Sequence, residues 1–280
     1  METKKIVLIT GATGGLGDPV VRLLSASGRW VVFAAGTNRE RLDRLRGLPD
    51  LHPVVLDVTR QDSVDRARAE VLTHTAGLDA VVHLAGASAF ASLVGTDAAE
   101  KLEHILSINV MGMARVNQTF FQLLQARGGR IIHCSSEAGW MTPQPFAGAY
   151  YLSKHAVEAY SDSLRRELMF LGMSVVVLQP GHFRTNMSNA VRAGFEQTRK
   201  DNPLYAAVLT RLGPWMEQEL DRSGDLDAFA RLVQKVLEVR RPRIRYRIGT
   251  SRWLTLLELL PDRLVDRLYL YLGTRGHRNL

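Results

Sequence analysis

Residues 5–24 read KIVLITGATGGLGDPVVRLL. The run from Lys5 to Thr10 is short, apolar and rich in β-branched side chains; it stops at Gly11, and apolar residues recur at helical spacing from residue 20 to residue 24. This order predicts a strand, a glycine turn and a helix. Glycines permit positive φ and close backbone approach, and the first N–H groups of the helix are suited to a pyrophosphate. The stretch therefore predicts a dinucleotide-binding turn.

The glycines of this turn fit two spacings. The pattern TGxxxGxG uses Gly11, Gly15 and Gly17, whereas TGxxGxxG uses Gly11, Gly14 and Gly17. The glycines therefore indicate the cofactor class and leave the subgroup open. The predicted cofactor-binding residues of the turn are Gly11, Thr13, Gly14, Gly15, Leu16 and Gly17.

Short apolar runs recur along the chain, with helical patterns between them. They cover residues 6–10, 31–35, 53–56, 80–84, 130–134, 174–178 and 244–248. Their continuous Val, Ile and Leu content is typical of parallel strands covered on both faces. The expected fold is α/β, a Rossmann-type doubly wound parallel sheet of about seven strands with helices on both faces. Ligands of such sheets bind at the carboxyl ends of the strands, where small and polar residues follow most of these runs.

The composition limits the classes of protein. The chain has 280 residues, is 46% hydrophobic and contains no linker rich in Pro, Gly or Ser, so we expect one domain over residues 1–280. A single cysteine, Cys134, excludes an internal disulfide and fits a reducing compartment. We find no signal-peptide pattern and no uncharged apolar stretch long enough to span a bilayer. We expect a cytoplasmic protein, with peripheral membrane contact as an open alternative.

The net charge of +8 is uneven, because arginines crowd residues 240–252, just before a Leu-rich C-terminal segment. Three interpretations compete, namely a solvated strand edge, a contact with anionic lipid and a nucleic-acid patch. The region lacks stacking aromatics and any recognised DNA-binding motif, so nucleic acid ranks last and is not an expected partner.

A phenol and an ammonium group stand four residues apart at Tyr150 and Lys154, within a pattern that predicts a helix. At that spacing both side chains share one face of the helix. A tyrosine with a pKa of about 10 is a poor base at neutral pH, but a nearby lysine cation favours the phenolate. The pair is therefore suited to transfer a proton to or from an alcohol oxygen.

Together these features resemble the short-chain dehydrogenase/reductase family, over essentially residues 5–185. Residues 153–168, SKHAVEAYSDSLRREL, are similar to the retinol and hydroxysteroid oxidoreductases of that family. The matching elements are the glycine turn, Asp57 in LDVT, Ala85 and Gly86 in HLAG, Asn109 in INVMG, Ser136 in CSSEAG, Tyr150 with Lys154, and residues 180–185, PGHFRT.

The resemblance implies hydride transfer between a nicotinamide and an alcohol or ketone, without a metal ion. Tyr150 would act as general acid or base, Lys154 would bind the nicotinamide ribose and lower the pKa of the tyrosine, and Ser136 would bind the substrate oxygen. Asn109 would anchor a water in a proton relay through Lys154; the alternative is a packing role.

The spacing between the serine and the tyrosine departs from the family pattern. Thirteen residues separate Ser136 from Tyr150, one more than is usual, which predicts an extra residue in the loop 140–149. Ser135 is the fallback for the catalytic serine, although it lengthens the gap further.

The resemblance also implies further cofactor contacts. Asp57 and the backbone of Val58 would contact the adenine, and the alternative role of Asp57 is to cap the next helix. The other residues expected to bind the cofactor are Ala85, Gly86, Tyr150, Lys154, Pro180, Gly181 and Thr185.

The end of the second predicted strand bears on the choice of cofactor. An acidic residue there would bind a free ribose 2′-hydroxyl, and residues 35–38 contain none. Thr37, Asn38, Arg39 and Arg41 supply donors and positive charge instead, which favours NADP(H), with NAD(H) as the alternative. Arginine often stands at position 37 in related NADP enzymes, and this chain has threonine there.

Two other functions remain open. His83 replaces an asparagine usual in the family, and HLAG with Gly14 resembles the extended branch, which suggests an epimerase or dehydratase acting on a sugar nucleotide. We interpret His83 itself as a hydrogen-bonded residue at a strand end. The third hypothesis is a dinucleotide-sensing protein without catalysis.

The segment from about residue 182 to 225 is expected to form a mobile substrate lid with apolar side chains. With an apolar wall in the loop after the fifth strand, it predicts a pocket for a bulky hydrophobic alcohol or carbonyl compound. For most of these side chains, packing of the lid on the sheet is the alternative. The residues concerned are Phe183, Met187, Phe195, Tyr205, Leu212, Trp215 and Met216 in the lid and Trp140, Met141 and Phe146 in the wall.

A C-terminal helical extension is expected over about residues 250–280, broken at Pro261. Its leucines, with Trp253, surround much of one helix. We expect them to pack within the fold or in a homo-oligomer, a dimer or tetramer, and contact with a membrane surface is the alternative.

Overall fold

The structure, a computed structural model, describes residues 3–221 and 223–274, apart from the side chains of Arg252 and Trp253. These two side chains belong to the arginine-rich region 240–252 and to the Leu-rich segment that follows it. They lie outside the described residues, as do residues 275–280 of the predicted extension.

Within the described residues, seven parallel strands form one sheet. The strands are β1 (Lys5–Thr10), β2 (Trp30–Gly36), β3 (Leu51–Val55), β4 (Ala80–His83), β5 (Arg130–Cys134), β6 (Ser174–Pro180) and β7 (Arg245–Ile248). Their order in the sheet is β3-β2-β1-β4-β5-β6-β7. All seven predicted strands are present, with ends that differ from the prediction by no more than two residues. The α/β prediction is confirmed.

Helices cover both faces of the sheet because alternate strand residues point to opposite sides. The helices are α1 (Gly17–Ala26), α2 (Arg39–Asp43), α3 (Gln61–Leu72), α4 (Ala98–Leu106), α5 (Gly112–Gln125), α6 (Gly148–Leu168), α7 (Asn186–Asp201), α8 (Pro203–Asp221), α9 (Leu226–Glu238), α10 (Arg252–Leu257) and α11 (Asp262–Thr274). Val7 and Ile9 belong to the core shared with α1 and α9, whereas Leu8 belongs to the core shared with α3 and α5.

The strand order reverses between β1 and β4, since the chain winds outward to β3 on one side and to β7 on the other. In open α/β sheets, ligands bind beyond the carboxyl ends of the strands at this reversal. The glycine turn after β1 and the predicted site residues after β4, β5 and β6 all lie at this edge.

The segment predicted as the lid contains two helices, α7 and α8. Thr185 begins α7 with a capping box, in which its side chain accepts from the Met187 backbone N–H and the Ser188 hydroxyl accepts from the Thr185 backbone N–H. α8 contains Pro214 and packs against α7 and α11.

The C-terminal extension contains the helices α10 and α11, with the predicted break at Pro261 between them. Leu254, Leu257 and Val265 are buried, which confirms packing within the fold for part of this segment. Other leucines remain exposed on the same segment, namely Leu256, Leu259, Leu260, Leu264 and Leu270.

Two arginines of the arginine-rich region 240–252 make contacts within the fold. Arg245 on β7 pairs with Glu158 and Asp162 of α6 at 2.9 and 3.0 Å. The guanidinium carbon of Arg247 lies 3.8 Å from the ring centroid of Trp140. These two arginines hold the edge strand to its neighbours, so they are not part of a free cationic surface.

Candidate active site

The glycine turn has room for no side chain at two positions. Gly11 has a φ of 68°, and a Cβ there would lie 2.5 Å from the backbone nitrogen of Ala85, just after β4. A Cβ on Gly17 would lie 2.2 Å from the carbonyl oxygen of Gly11. The ends of β1 and β4 and the start of α1 therefore approach more closely than any other residue type permits.

Of the two glycine spacings, the structure favours TGxxxGxG. A Cβ on Gly15 would lie 2.3 Å from Cγ2 of Thr185, a predicted cofactor residue in the turn after β6, whereas on Gly14 it would lie 3.1 Å from the Gly11 carbonyl oxygen. Gly15 is thus the position at which the glycine turn packs against the segment after β6. The Leu16 side chain makes no capping hydrogen bond at the start of α1.

Tyr150 and Lys154 lie on one face of α6, as their spacing predicts. The Nζ atom of Lys154 is 5.5 Å from the centroid of the Tyr150 ring and donates a 2.9 Å hydrogen bond to the backbone carbonyl of Cys134. Lys154 is only 5% exposed, whereas Tyr150 is partly exposed to the cavity described below. The pair is therefore fixed at the carboxyl end of β5.

Ser136 suits the substrate-binding role better than Ser135. Both serines line the cavity described below, but Ser135 is only 1% exposed and its hydroxyl donates to the Lys154 carbonyl oxygen at 3.5 Å, so it is turned towards the backbone of α6. The Ser136 hydroxyl accepts from the Ala138 backbone N–H at 3.2 Å and lies 3.4 Å from the carbonyl of Pro180. Ser136 thus lies between β5 and β6.

Asn109 lies in a single π-helical turn, Ser107–Met111, between α4 and α5. Its Oδ1 accepts from the Ala87 backbone N–H at 2.8 Å, and its Nδ2 donates to the Ala87 carbonyl and to the Ser153 hydroxyl, both at 2.9 Å. These bonds explain how a 1% exposed asparagine is tolerated inside a helix. Asn109 joins the loop after β4 to α6; the water relay stays a prediction.

The predicted adenine-side residues have local structural roles. Oδ1 of Asp57 accepts from the backbone N–H and the hydroxyl of Thr59 at 2.9 and 2.7 Å, so Asp57 fixes the turn before α3. Val58 is buried and packs against Gly112. The Asn38 side chain caps α2 by accepting from the Arg41 backbone N–H at 2.9 Å. Because its oxygen is used in this cap, only the amide nitrogen of Asn38 is available as the expected donor to the cofactor.

A cavity of about 370 Å³ runs from the glycine turn to the Tyr150 and Lys154 pair. Of the predicted site residues, it is lined by Gly14, Gly15, Leu16, Ala85, Gly86, Ser136, Tyr150, Lys154, Pro180, Gly181 and Thr185. Outside its lining lie Gly11, Thr13, Gly17, Thr37, Asn38, Arg39, Asp57, Val58 and Asn109.

The apolar part of the cavity differs from the prediction at three residues. Phe146 and six of the seven lid residues line it, but Tyr205 packs behind the wall with its ring centroid 5.2 Å from that of Phe146. Trp140 and Met141 were expected in the wall and do not line the cavity. Met141 is 2% exposed in a cluster with α10, and Trp140 lies against Arg247 instead.

Phe146 has a φ of 63°, in the left-handed region that is unfavourable for a residue with a Cβ. It lies in the loop predicted to hold the extra residue. Its carbonyl accepts from the Ala91 backbone N–H at 2.7 Å, and its ring stacks on Phe90. The longer loop therefore places an aromatic ring in the cavity wall at the expense of backbone strain.

Glu137 and Tyr269 also line the cavity, and neither is among the predicted site residues. Burial raises the pKa of the Glu137 carboxyl to about 7, and Glu219 adds to this rise. The Ser251 backbone N–H donates to Oε2 of Glu137 at 2.8 Å. The position of Glu137 directly after Ser136 was an available signal, whereas nothing in the sequence places the distant Tyr269 here.

His83 is a buried, hydrogen-bonded strand-end residue, as predicted, and it is not among the residues that line the cavity. Its Nε2 lies 2.8 Å from Oδ1 of Asn117, whose Nδ2 lies 3.0 Å from Nε2 of His133. Nδ1 of His133 lies 2.8 Å from the Ser161 hydroxyl. Burial lowers the pKa of His83 to about 4 and also lowers that of His133.

Among the described residues, no three His, Cys, Asp or Glu side chains are grouped so that they could hold a metal ion. No helix in the described ranges is both long enough and apolar enough to cross a membrane.

Comparisons with known proteins agree with this geometry. The family model for short chain dehydrogenases matches residues 5–195. Retinol dehydrogenase 16 of Mus musculus is 31% identical over 99% of this chain and 91% of its own length. The 17-beta-hydroxysteroid dehydrogenase type 6 of Homo sapiens is 31% identical over 97% of this chain and 88% of its own. The structure of a short-chain dehydrogenase from Streptomyces avermitilis shares the fold, with a TM-score of 0.75, 24% identity and coverage of 96% of this chain and 97% of that one.

Proposed function

The chain belongs to the short-chain dehydrogenase family, and on that premise we propose that it interconverts a hydrophobic alcohol and its ketone or aldehyde with NADP(H). The observation that carries this proposal is the position of Tyr150 and Lys154. They line one end of a cavity that also includes the glycine turn, so a dinucleotide and a substrate carbonyl would meet beside them.

The residues of the cavity suit a bound dinucleotide. Gly11 and Gly17 keep the turn free of side chains, and α1 begins at Gly17, so the N-terminus of a helix lies next to the turn, as suits a pyrophosphate. Lys154 and Asn109 are fixed near the position expected for the nicotinamide ribose. When bound, the nicotinamide supplies or accepts the hydride.

The chain's own residues handle the proton. In the reduction, the Tyr150 hydroxyl donates its proton to the substrate oxygen, and in the oxidation the phenolate accepts it back. The Lys154 cation stabilises the phenolate, since opposite charges this close lower a tyrosine pKa. The Ser136 hydroxyl donates a hydrogen bond to the same substrate oxygen and stabilises the charge that develops on it.

The preference for NADP(H) rests on the end of β2. Thr37 and Arg39 are exposed there, and residues 35–38 include no carboxylate that would repel a 2′-phosphate. Arg41 on the short helix α2 adds a second cation. NAD(H) remains the alternative cofactor.

The apolar lining from α7 and α8 favours a bulky hydrophobic substrate, steroid-like, retinoid-like or long-chain. The relatives named above are retinol and hydroxysteroid dehydrogenases, which supports the same substrate class. A screen of steroid, retinoid, aliphatic and sugar alcohols and carbonyls with both cofactors tests the proposal. We expect a hydrophobic carbonyl compound to lower NADPH fluorescence, or a hydrophobic alcohol to raise it from NADP. Conversion of a sugar nucleotide without net cofactor turnover would favour the epimerase hypothesis instead.

We also propose that the protein is cytoplasmic and forms a homo-oligomer, a dimer or tetramer; peripheral membrane contact through the C-terminal segment is the alternative for its exposed leucines. The exposed leucines of this segment lie beside Arg263 and Arg267, a combination suited to anionic lipid. Flotation with anionic liposomes tests this contact, and protein that stays at the bottom of the gradient would contradict it. Sedimentation in the same buffer tests the proposed dimer or tetramer.

A further inference from the structure

The lining of the cavity includes a group of two carboxyl groups and two phenols. The carboxyl groups of Glu137 and Glu219 and the phenols of Tyr151 and Tyr269 all line it. Glu137 interacts electrostatically with Glu219 and Tyr151, and Tyr151 interacts with Tyr269, so the four groups lie near one another. They come from the turn after β5 and from α6, α8 and α11. We call these four residues the polar side of the cavity.

The polar side lies close to the reacting groups. Glu137 directly follows Ser136, and Tyr151 directly follows Tyr150. The backbone N–H of Ser251, at the start of α10, donates a 2.8 Å hydrogen bond to Oε2 of Glu137. A carboxyl group has acceptor capacity for further donors beyond this one bond.

The lining residues do not neutralise this carboxyl group. Lys154 is the one lysine or arginine among the described lining residues, and its ammonium group is held at the Cys134 carbonyl. A substrate that fills the cavity excludes water from Glu137. If that substrate brought no donor, the carboxyl group would lose hydrogen bonds that water supplied.

We propose that Glu137 selects substrates with a second polar group, a hydroxyl or protonated amine, that donates a hydrogen bond to its carboxyl group. This inference rests on the function proposed above and assigns Glu137 a role in specificity rather than in proton transfer. A site built to bind a donor rejects the analogue that lacks it, because its own polar group is then left unpaired. The apolar lining from α7 and α8 would hold the body of the same molecule.

Two matched sets of ketones test the proposal. One set is long-chain and carries a hydroxyl, an amine or a hydrogen on the carbon next to the ketone; the other is steroidal and carries the same three groups at the far end of the ring system. In at least one set, we expect the wild-type kcat/KM to be at least about tenfold higher for the hydroxyl or amino member than for the member with hydrogen. Comparison of the amino member with the hydroxyl member distinguishes an ion pair with the carboxylate from a hydrogen bond that a neutral hydroxyl donates.

The variant Glu137→Gln keeps an oxygen for the Ser251 N–H but removes the charge. It should reduce the preference for the amino member by about tenfold and leave kcat/KM for the member with hydrogen unchanged or higher. Glu196→Gln is the control, because Glu196 forms a surface ion pair with Arg199 and does not line the cavity. Thermal unfolding of both variants reports separately on folding.

The outcomes distinguish the two proposals. Turnover without preference for a donor in either set, or an unchanged preference in Glu137→Gln, would overturn the role of Glu137 alone. Absence of redox turnover with every probe and both cofactors would overturn the proposed function, and this inference with it.

Discussion

The ammonium group of Lys154 donates a 2.9 Å hydrogen bond to the carbonyl oxygen of Cys134, the last residue of β5. The bond joins the end of a central strand to the helix that carries Tyr150. Because Lys154 is only 5% exposed, this bond fixes the direction of a long side chain that would otherwise be mobile. The position of the cation beside the phenol is therefore set by the core of the fold.

Replacement of Lys154 by methionine should lower turnover by about 100-fold or more, since the Tyr150 phenolate loses the nearby cation that favours it. It should also weaken cofactor binding, because the same ammonium group is proposed to bind the ribose. Steady-state kinetics and fluorescence titration with NADPH measure the two effects. Lys101→Met is the control, as Lys101 forms an ion pair with Asp97 on the surface. Wild-type turnover in Lys154→Met would contradict this role.

Asn109→Ala should destabilise the protein by about 2–3 kcal/mol, because it leaves the Ala87 backbone groups without their buried partner. The loop after β4, which contains Ala85 and Gly86, would then be less ordered and cofactor affinity should fall. Ser153→Ala removes one of the three bonds of Asn109 and should cost less. Urea unfolding compares the two variants, and an equal or smaller loss in Asn109→Ala would contradict the argument.

Protonation of two buried histidines should destabilise the protein in acid. Burial lowers the pKa of His83 to about 4, below the ordinary value of 6.5, and lowers that of His133 in the same direction. Between pH 6.5 and 4 the unfolded chain binds protons that the folded chain does not, so stability falls as the pH falls through this window. For His83 alone the loss is about 3 kcal/mol.

Urea unfolding between pH 7 and pH 4.5 measures this dependence. His83→Asn should flatten the curve, because asparagine retains hydrogen-bonding groups and has no proton to gain. His104→Gln, on α4, is a control that should leave the curve unchanged. A curve of unchanged slope in His83→Asn would show that other groups cause the acid effect.

Because the backbone at Phe146 is strained, we expect a glycine variant there to be more stable than an alanine variant. At most positions the glycine variant is the less stable of the two, but at a φ of 63° glycine is the less strained residue. Phe146→Gly should therefore be about 1 kcal/mol more stable than Phe146→Ala. Thermal unfolding compares the pair, and greater stability of the alanine variant would contradict the assigned strain.

The sequence predicted those features that depend on local patterns. The apolar runs gave all seven strands, and the YxxxK spacing placed Tyr150 and Lys154 on one face of α6, because strand and helix periodicity are local properties. The glycine spacing stayed ambiguous, since the contact that separates Gly15 from Gly14 is made by Thr185, a residue distant in sequence.

The cavity wall was harder to predict because it is formed by tertiary contacts. Trp140 looked like a wall residue but is held against Arg247 of β7. Tyr269, from the last described helix, reaches the cavity, and no local pattern indicates this. Glu137 stands beside the predicted serine, but its burial follows from the packing of α10 over it.

If Tyr150 transfers the proton to the substrate oxygen beside a bound nicotinamide, Tyr150→Phe should lose turnover with the best substrate from the screen. We expect kcat to fall by about 100- to 10,000-fold, with the Kd for NADPH unchanged within about twofold, because the variant lacks one hydroxyl and retains the ring. Tyr205→Phe removes a hydroxyl from a ring behind the cavity wall and should retain turnover. A folded Tyr150→Phe protein that turns over at the wild-type rate would show that Tyr150 does not transfer the proton.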